Sequence, residues 1–370
     1  MIPSLTQRPF PRFGQNKAPA DSPAADSASR SSKSPAVVTR RQFLTGMGAT
    51  AGVAALGVGG WSYHTYLSPR YPGHKPENVI GTPDNTFFVI GDMGTGSEEQ
   101  YRIGEQIFNQ PEVQAAIKEG RGDKIKIFTT GDNLYYRGEW KKYGHERFEK
   151  PYAALLAAGV QFVPVYGNHD LYGGKVHEQL AYFEPIESGL NNTEPNRTPD
   201  RLYTTARLGD VEFFLIDTIG CDPNLFRDFP YAEWVKQQAW LVQKFEESDA
   251  KFKIILGHHP SRTTKNANDR QRALNPVIQG LHPDAYISGH HHGYERFDPD
   301  KNNGVTYLVT AGGGAWMNNY FSHTYDDNQV RLNIHHVMKF VAGEDQIRFS
   351  TIGQYGEIID SGEINPNPNR

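Results

Sequence analysis

From about Pro83 onward, short apolar runs alternate with longer amphipathic stretches. The run Thr86 to Ile90 in TFFVIGDMG reads as a buried strand, and KIKIFTTGDNLYY, QFVPVYGNHD, KFKIILGHHP and DAYISGHHH each hold another. Every run stops at a glycine followed by a polar tip: Asp92-Met93-Gly94, Asp132-Asn133-Leu134-Tyr135, Asn168-His169-Asp170, His258-His259 and His290-His291-His292. Amphipathic spacing predicts helices around Gln100 to Lys118, Arg147 to Ala158 and Ala232 to Glu247. Later strands are predicted around Val305–Thr310, Ile334–Val341, Gln346–Thr351 and Ile358–Ile364. A repeat of strand, polar tip and helix is how an α/β sheet collects functional groups at the carboxyl ends of its strands. The glycine before each tip fits a sharp turn that a side chain would strain.

The pattern is different before residue 83. Residues 1–38 are rich in Pro, Ser and Ala and lack apolar periodicity, so they read as disordered. TRRQFL, Thr39 to Leu44, is followed by a mildly apolar stretch from Gly46 to Gly60. That stretch is too short and glycine-rich for a membrane span, which needs ~20 apolar residues. Arg40-Arg41 followed by Gln42-Phe43-Leu44 resembles a bacterial twin-arginine export signal, a receptor-read address. The resemblance implies the twin-arginine translocase as a partner and a periplasmic or otherwise extracytoplasmic destination. The small-x-small site Ala49-Thr50-Ala51 lies inside the apolar stretch, so cleavage stays open and an uncleaved segment would tether the protein to the membrane. The expected organisation is 1–38 disordered, 39–61 signal or anchor, 62–82 linker and 83–366 a single domain.

Charge sharpens the contrast. The chain has 38 Lys/Arg and 42 Asp/Glu; residues 1–61 hold seven and two of these, leaving 31 against 40 in the remainder. A net-acidic body argues against nucleic acid as a partner, because duplex binding requires cationic groups opposite the phosphates. The single cysteine, Cys221, excludes an internal disulfide framework and a multi-cysteine zinc site, and reads as a packing residue.

The polar tips carry the chemistry. A lone Gly-Asp after a strand is commonly only a turn or a helix cap. Taken together, the tips offer Asp92, Asp132, Tyr135, Asn168, His258, His290 and His292 along one sheet edge. Oxygen and imidazole donors without thiolate suit iron, manganese or zinc. Seven donors exceed one tetrahedral site but suit two metals sharing a carboxylate, an arrangement that clamps the oxygens of an in-line phosphoryl displacement.

The ordered series GDMG, GDNLYY, GNHD, ILGHHP and GHHH resembles the purple acid phosphatases within the calcineurin-like metallophosphoesterases, over roughly residues 85–365. The small, tartrate-resistant type is the nearest branch, through GDNLYYRG, the later RFEKPY and Gln237-x-x-Trp240-Leu241. The resemblance implies a four-layer α/β/β/α sandwich, two mixed sheets flanked by helices. It implies that Asp92, Tyr135 and His292 bind ferric iron, that Asp132 bridges, and that Asn168, His258 and His290 hold a divalent iron, zinc or manganese ion. In an extended chain positions i and i+2 share a side, so His290 and His292 would bind while His291 faces away.

His169 resembles the histidine that meets the substrate phosphate, Asp170 would orient it, and His259 would either assist or be packed away. The family places a further histidine after the first ligand histidine. PSRTTKNANDR has none here, which leaves His169, Lys265 or a water as donor to the leaving group. Gly312-Gly313-Gly314 reads as backbone packing, the sequons at Asn191 and Asn196 as chance, and the histidines outside the motifs as structural. The implied activity is hydrolysis of phosphate monoesters by a hydroxide made nucleophilic on the metals, since coordination lowers the pKa of water from about 15.7 to about 7. A phosphodiesterase or pyrophosphatase on the same centre, chosen by the rim loops, is the enzymatic alternative. An exported metal- or phosphate-binding protein without turnover is the non-enzymatic one.

Overall fold

The apolar runs become neighbouring strands of two sheets in a computed structural model, which describes residues 66–67, 75–187, 197–221, 231–264, 269–317 and 327–370. The eight-stranded sheet has the order Tyr66–Leu67, Asn328–Leu332, Tyr294–Phe297, Thr306–Thr310, Ala285–Ser288, Phe252–Leu256, Val211–Leu215, Thr204–Leu208. The six-stranded sheet has the order Ile358–Ile364, Ile347–Gly353, His336–Ala342, Thr86–Ile90, Lys126–Thr129, Gln161–Val163. Both sheets are mixed. The twin-arginine segment lies outside the described residues. Within the stretch read as a linker, Leu67 pairs with Val330 at the edge of the larger sheet.

Strand alternation sorts the apolar residues into layers. Phe87, Val89 and Phe128 of the smaller sheet meet Phe213, Ile254 and Leu308 of the larger one in a shared core. Phe128 and Phe213 stack across it at 4.0 Å between centroids. The intervening Phe88 and Ile90 pack on the opposite side, against Ile103 and Ile107 of the helix Glu98–Phe108 and Val113 of Pro111–Lys118. Phe214, Ile255 and Tyr286 do the same for the larger sheet, against Trp234, Leu241, Leu274 and Ile278 of the helices Tyr231–Glu247 and Asp269–Leu281. The result is the α/β/β/α sandwich. Because both faces of the central strands are buried, those strands appear in the sequence as continuous apolar runs.

Two helices expected as single pieces are divided. The segment Gln100 to Lys118 splits between Phe108 and Pro111, where proline occupies the first turn of the second helix. The segment Arg147 to Ala158 begins earlier, as Trp140–Gly144 continuing through a π-helical turn His145–Glu149, and resumes as Ala153–Ala157 after Pro151. The hairpin Thr204–Leu208/Val211–Leu215 and the strands Tyr294–Phe297 and Asn328–Leu332 were not expected from the pattern.

The parallel strands position the site. Thr86–Ile90, Lys126–Thr129 and Gln161–Val163 run parallel in one sheet, and Phe252–Leu256, Ala285–Ser288 and Thr306–Thr310 in the other. Their carboxyl ends are tied together: Gly313 N–H donates to the Gly91 carbonyl at 2.9 Å, and Thr130 Oγ1 donates to the Thr310 carbonyl at 3.2 Å.

Candidate metal centre

The backbone at the tips departs from the turn expected of the sequence. Positive φ falls on the functional residues themselves, Asp92 (56°), Asp132 (53°) and His290 (66°), where a side chain other than glycine is uncommon. Of the glycines that precede the tips, Gly131 is left-handed, at 93°, while Gly91, Gly167, Gly257 and Gly289 are not. These four glycines provide space instead. A Cβ at Gly91 would lie 2.0 Å from Thr130 Oγ1, one at Gly167 2.2 Å from Asp132 Oδ1, and one at Gly289 2.6 Å from Asp92 Oδ2.

Two groups of donors result. In the first, the Tyr135 phenol oxygen lies 2.9 Å from His292 Nε2 and 3.1 Å from Asp92 Oδ1, and His292 Nε2 lies 3.2 Å from Asp92 Oδ1. In the second, His258 Nε2 lies 3.0 Å from Asn168 Oδ1, 3.2 Å from His290 Nδ1 and 3.5 Å from Asp132 Oδ1. Donors at about 2.0–2.1 Å from one ion and at right angles to each other stand about 2.9 Å apart, which is the spacing of the closest pairs here. Asp92, Asp132 and His258 also converge across the groups, with one candidate ligand atom from each lying within 4.8 Å of the others.

The ring nitrogens are set from behind. His292 Nδ1 donates to the Trp316 carbonyl at 2.5 Å, and His258 Nδ1 donates to the Thr130 carbonyl at 2.8 Å. Each bond fixes the ring's orientation and points Nε2 into the donor group, where the neutral form of the ring would offer its lone pair to a cation, the usual way a protein orients an imidazole ligand. The His290 backbone N–H donates to Asp92 Oδ2 at 2.9 Å and links the two groups.

Electrostatics show which partners this arrangement suits. Burial and repulsion from Asp92 push the Asp132 carboxyl up to about 7. Burial would raise Asp92 too, but its hydrogen bond to His292 and the charges of His292 and His258 outweigh that and hold it low. Burial, then Asp92 and Asp132, push the Tyr135 phenol well above its ordinary range. A buried phenol facing two carboxylates keeps its proton unless cations enter. Cations would favour the ionised form of all three groups, so the donor set fits a pair of metal ions.

His290 and His292 both face the donors, while His291 turns away, its Nδ1 2.8 Å from Thr263 Oγ1. The sides are those expected, but the backbone is not the extended chain on which the expectation rested, since His290 is left-handed. His169 donates its backbone N–H to Asp132 Oδ1 at 2.8 Å and its Nδ1 proton to the Tyr136 carbonyl at 2.8 Å. Asp170 was expected to orient that imidazole, but its hydrogen bonds go elsewhere. It accepts from the backbones of Gly167, Asn133 and Leu134 and from the amides of Asn133 and Gln179, at 2.8–3.1 Å. Asp170 therefore ties the GNHD loop to the GDNL loop, and the Tyr136 carbonyl orients His169. His259 is buried, its Nδ1 2.8 Å from Thr218 Oγ1, with its ring 4.3 Å from that of His290.

Sequence reasoning missed Thr130, Tyr136, Trp316 and Arg147. The first three act through backbone carbonyls, and Arg147 donates to the Tyr135 carbonyl. Any residue type supplies a carbonyl, so composition holds no signal for such roles. At Gly312 and Gly313 the packing role holds: a Cβ would lie 2.2 Å from His336 Nδ1 and 2.6 Å from the Gly91 carbonyl. Cys221 is buried, its thiol donating to the Thr218 carbonyl at 2.9 Å. Lys265, Asn191, Asn196, His64, His74 and His323 lie outside the described residues.

Two sheets that meet at their carboxyl edges around a doubled nitrogen and oxygen donor set make an α/β/β/α sandwich with a candidate metal site. The chain belongs to the calcineurin-like phosphoesterase family, whose model matches residues 86–294. Among curated proteins, purple acid phosphatase 3 of Arabidopsis thaliana is 27% identical over 315 residues, 77% of this chain and 78% of the relative. Purple acid phosphatase 4 of the same plant is 28% identical over 272 residues, 65% of this chain and 72% of the relative. These relatives imply a binuclear metal centre. Two solved structures share the fold. Purple acid phosphatase PPD1 from yellow lupin seeds has a TM-score of 0.57 at 16% identity, covering 76% of this chain and 53% of its own. GAP50, described as the anchor in the inner membrane complex of Plasmodium, has a TM-score of 0.58 at 16% identity, covering 77% and 90%.

Proposed function

We propose that the protein is a di-metal phosphatase that hydrolyses phosphate monoesters. The observation that carries this is the pair of donor groups, three residues on one side and three on the other, with Asp132 between them and His169 held against Asp132. Two bound cations would supply the nucleophilic oxygen and neutralise the phosphoryl charge of an in-line displacement.

The chain's own charges favour different ions on the two sides. Asp92 and ionised Tyr135 bring two negative charges to the first group, which suits ferric iron. Asn168, His258 and His290 are neutral donors, which with a shared Asp132 suit a divalent iron, zinc or manganese ion. His169 has its Nδ1 proton committed to the Tyr136 carbonyl, and its Nε2 has no protein partner among the described residues. With the ring protonated to imidazolium, that nitrogen would meet the substrate phosphate, holding it through its N–H or giving that proton to the leaving oxygen.

Turnover of an aryl phosphate, measured beside a phosphodiester and pyrophosphate, tests this reading. The monoester should be preferred. Preference for either other substrate would make the protein a phosphodiesterase or pyrophosphatase, and no turnover with metals bound would make it a binding protein. The fold alone does not choose, because GAP50 shares it as an anchor. Export by the twin-arginine translocase, through Arg40 and Arg41, is proposed from the sequence; folded cargo suits a protein loaded with metal before it crosses. Among the described residues, no helix is long and apolar enough to cross a membrane.

A further inference from the structure

Large apolar side chains exposed among the described residues are few, and three of them border the donor set: Tyr136 at 57%, Tyr172 at 46% and Trp316 at 46%. One exposed aromatic ring is ordinary on a protein surface. These three are in contact with the residues that carry the chemistry. Tyr136 and Trp316 stack at 5.7 Å with 26° between their planes. Trp316 lies 5.3 Å from the Tyr135 ring and 5.2 Å from His292, and the His169 ring lies 5.1 Å from Tyr172 and 6.3 Å from Tyr136.

The backbones that carry the two stacked rings are also tied to the site. The Trp316 carbonyl accepts the His292 proton and the Tyr136 carbonyl accepts the His169 proton, so each ring is fixed to a backbone that orients a functional imidazole. Arg147 adds its guanidinium over Tyr136, 5.9 Å from the ring centre. An aromatic face carried on a backbone that is already tied to the site is a partly pre-organised surface for a flat ligand. Its quadrupole favours stacking with another ring over contact with a flexible alkyl chain.

We propose that Tyr136 and Trp316 form a leaving-group subsite, and that the favoured substrates are phosphate monoesters whose leaving group carries a planar aromatic ring. The inference rests on the phosphatase reading and extends it to a substrate class. The phosphoryl group lies at the donor set and the ring stacks on the adjacent wall.

The test compares metal-loaded wild type with Trp316→Leu, which keeps apolar bulk and the carbonyl, and Trp316→Phe, which keeps a ring. Each substrate is compared with itself across the variants: phenyl phosphate, adenosine monophosphate and glycerol phosphate. With Trp316→Leu, kcat/KM for at least one ring-bearing substrate should fall roughly three- to ten-fold more than for glycerol phosphate, mainly through KM, and Trp316→Phe should recover most of the difference. A fall confined to phenyl phosphate places the ring on the ester oxygen, and one confined to adenosine monophosphate places it beyond the sugar. Equal falls on all three substrates, or no recovery with Phe, overturn the subsite. If Trp316→Leu loses metal, Tyr136→Leu is read in the same way.

Should wild type turn over none of the three, the phosphatase reading fails by itself. The subsite is then tested by binding to the metal-loaded protein. Phenylphosphonate should bind several-fold more tightly than methylphosphonate, with the gap closing in Trp316→Leu, and equal affinities in wild type overturn it.

Discussion

The phenol oxygen of Tyr135 lies 2.9 Å from Nε2 of His292, although 157 residues separate the two in the chain. Both also meet Asp92 Oδ1, at 3.1 and 3.2 Å. No phenol buried among such partners gives up its proton unaided, so the colour of the loaded protein should report what enters. With ferric iron bound, charge transfer from Tyr135 should give a visible band, and Tyr135→Phe should bleach it while the other donors remain. A colourless iron-loaded wild type, or a band that survives Tyr135→Phe, would remove the ferric assignment.

His169 should prove functional without being a ligand. His169→Asn should keep both metals and the colour while turnover falls by roughly two orders of magnitude, within the 10²–10⁴-fold range of positioned acid–base groups. If proton donation dominates, alkyl phosphates should suffer more than aryl ones, since a phenolate leaves with less help. Loss of a metal would move His169 into the donor set.

The slope of stability against pH should be more positive in the loaded protein than in the metal-free one. In the metal-free protein, Asp132 and Asp170 are pushed up to about 7: Asp132 by burial and the Asp92 charge, Asp170 by burial and the Asp132 charge. The unfolded chain releases those protons near pH 3.9. Between about 4 and about 7 these two carboxyls bind more protons in the folded state than in the unfolded one, so their contribution to stability falls as pH rises, while His336, which burial lowers to about 4, opposes them in both forms of the protein. Cations at Asp132 favour the ionised carboxylates, so protons compete with metal and the loaded protein should gain stability over the same window. Thermal melting of both forms from pH 4.5 to 7.5 checks the two slopes, and parallel slopes would contradict the account.

Much of this site was legible in the sequence because parallel strands buried on both faces leave unmistakable apolar runs, and all seven expected donors stand just beyond such runs. The supporting layer was not legible. The Thr130, Tyr136 and Trp316 carbonyls act by position, not by residue type. The hydrogen bonds of Asp170 depend on Asn133 and Leu134, 36 or 37 residues away, folding back onto it. The glycines were visible but their purpose was not, since only the packed structure shows that Gly167 makes room for Asp132. The helix breaks at Pro111 and Pro151 could have been read from the prolines themselves.

Export should need Arg40 and Arg41 as guanidinium groups, whose planar fork of donors lysine lacks. Arg40→Lys with Arg41→Lys should leave active enzyme in the cytoplasm. Unchanged extracytoplasmic activity in cell fractions would end the export proposal.

The central claim is that two metals share Asp132, and titrating metal into chelator-treated protein tests it most directly. Wild type should take up two ions per chain, with aryl phosphate hydrolysis appearing only as the second enters. Asp132→Asn keeps the size but weakens the bridging anion, so this variant should lose at least one ion along with activity. Full turnover with a single ion, or an Asp132→Asn protein that holds two ions at near-normal turnover, would contradict the account.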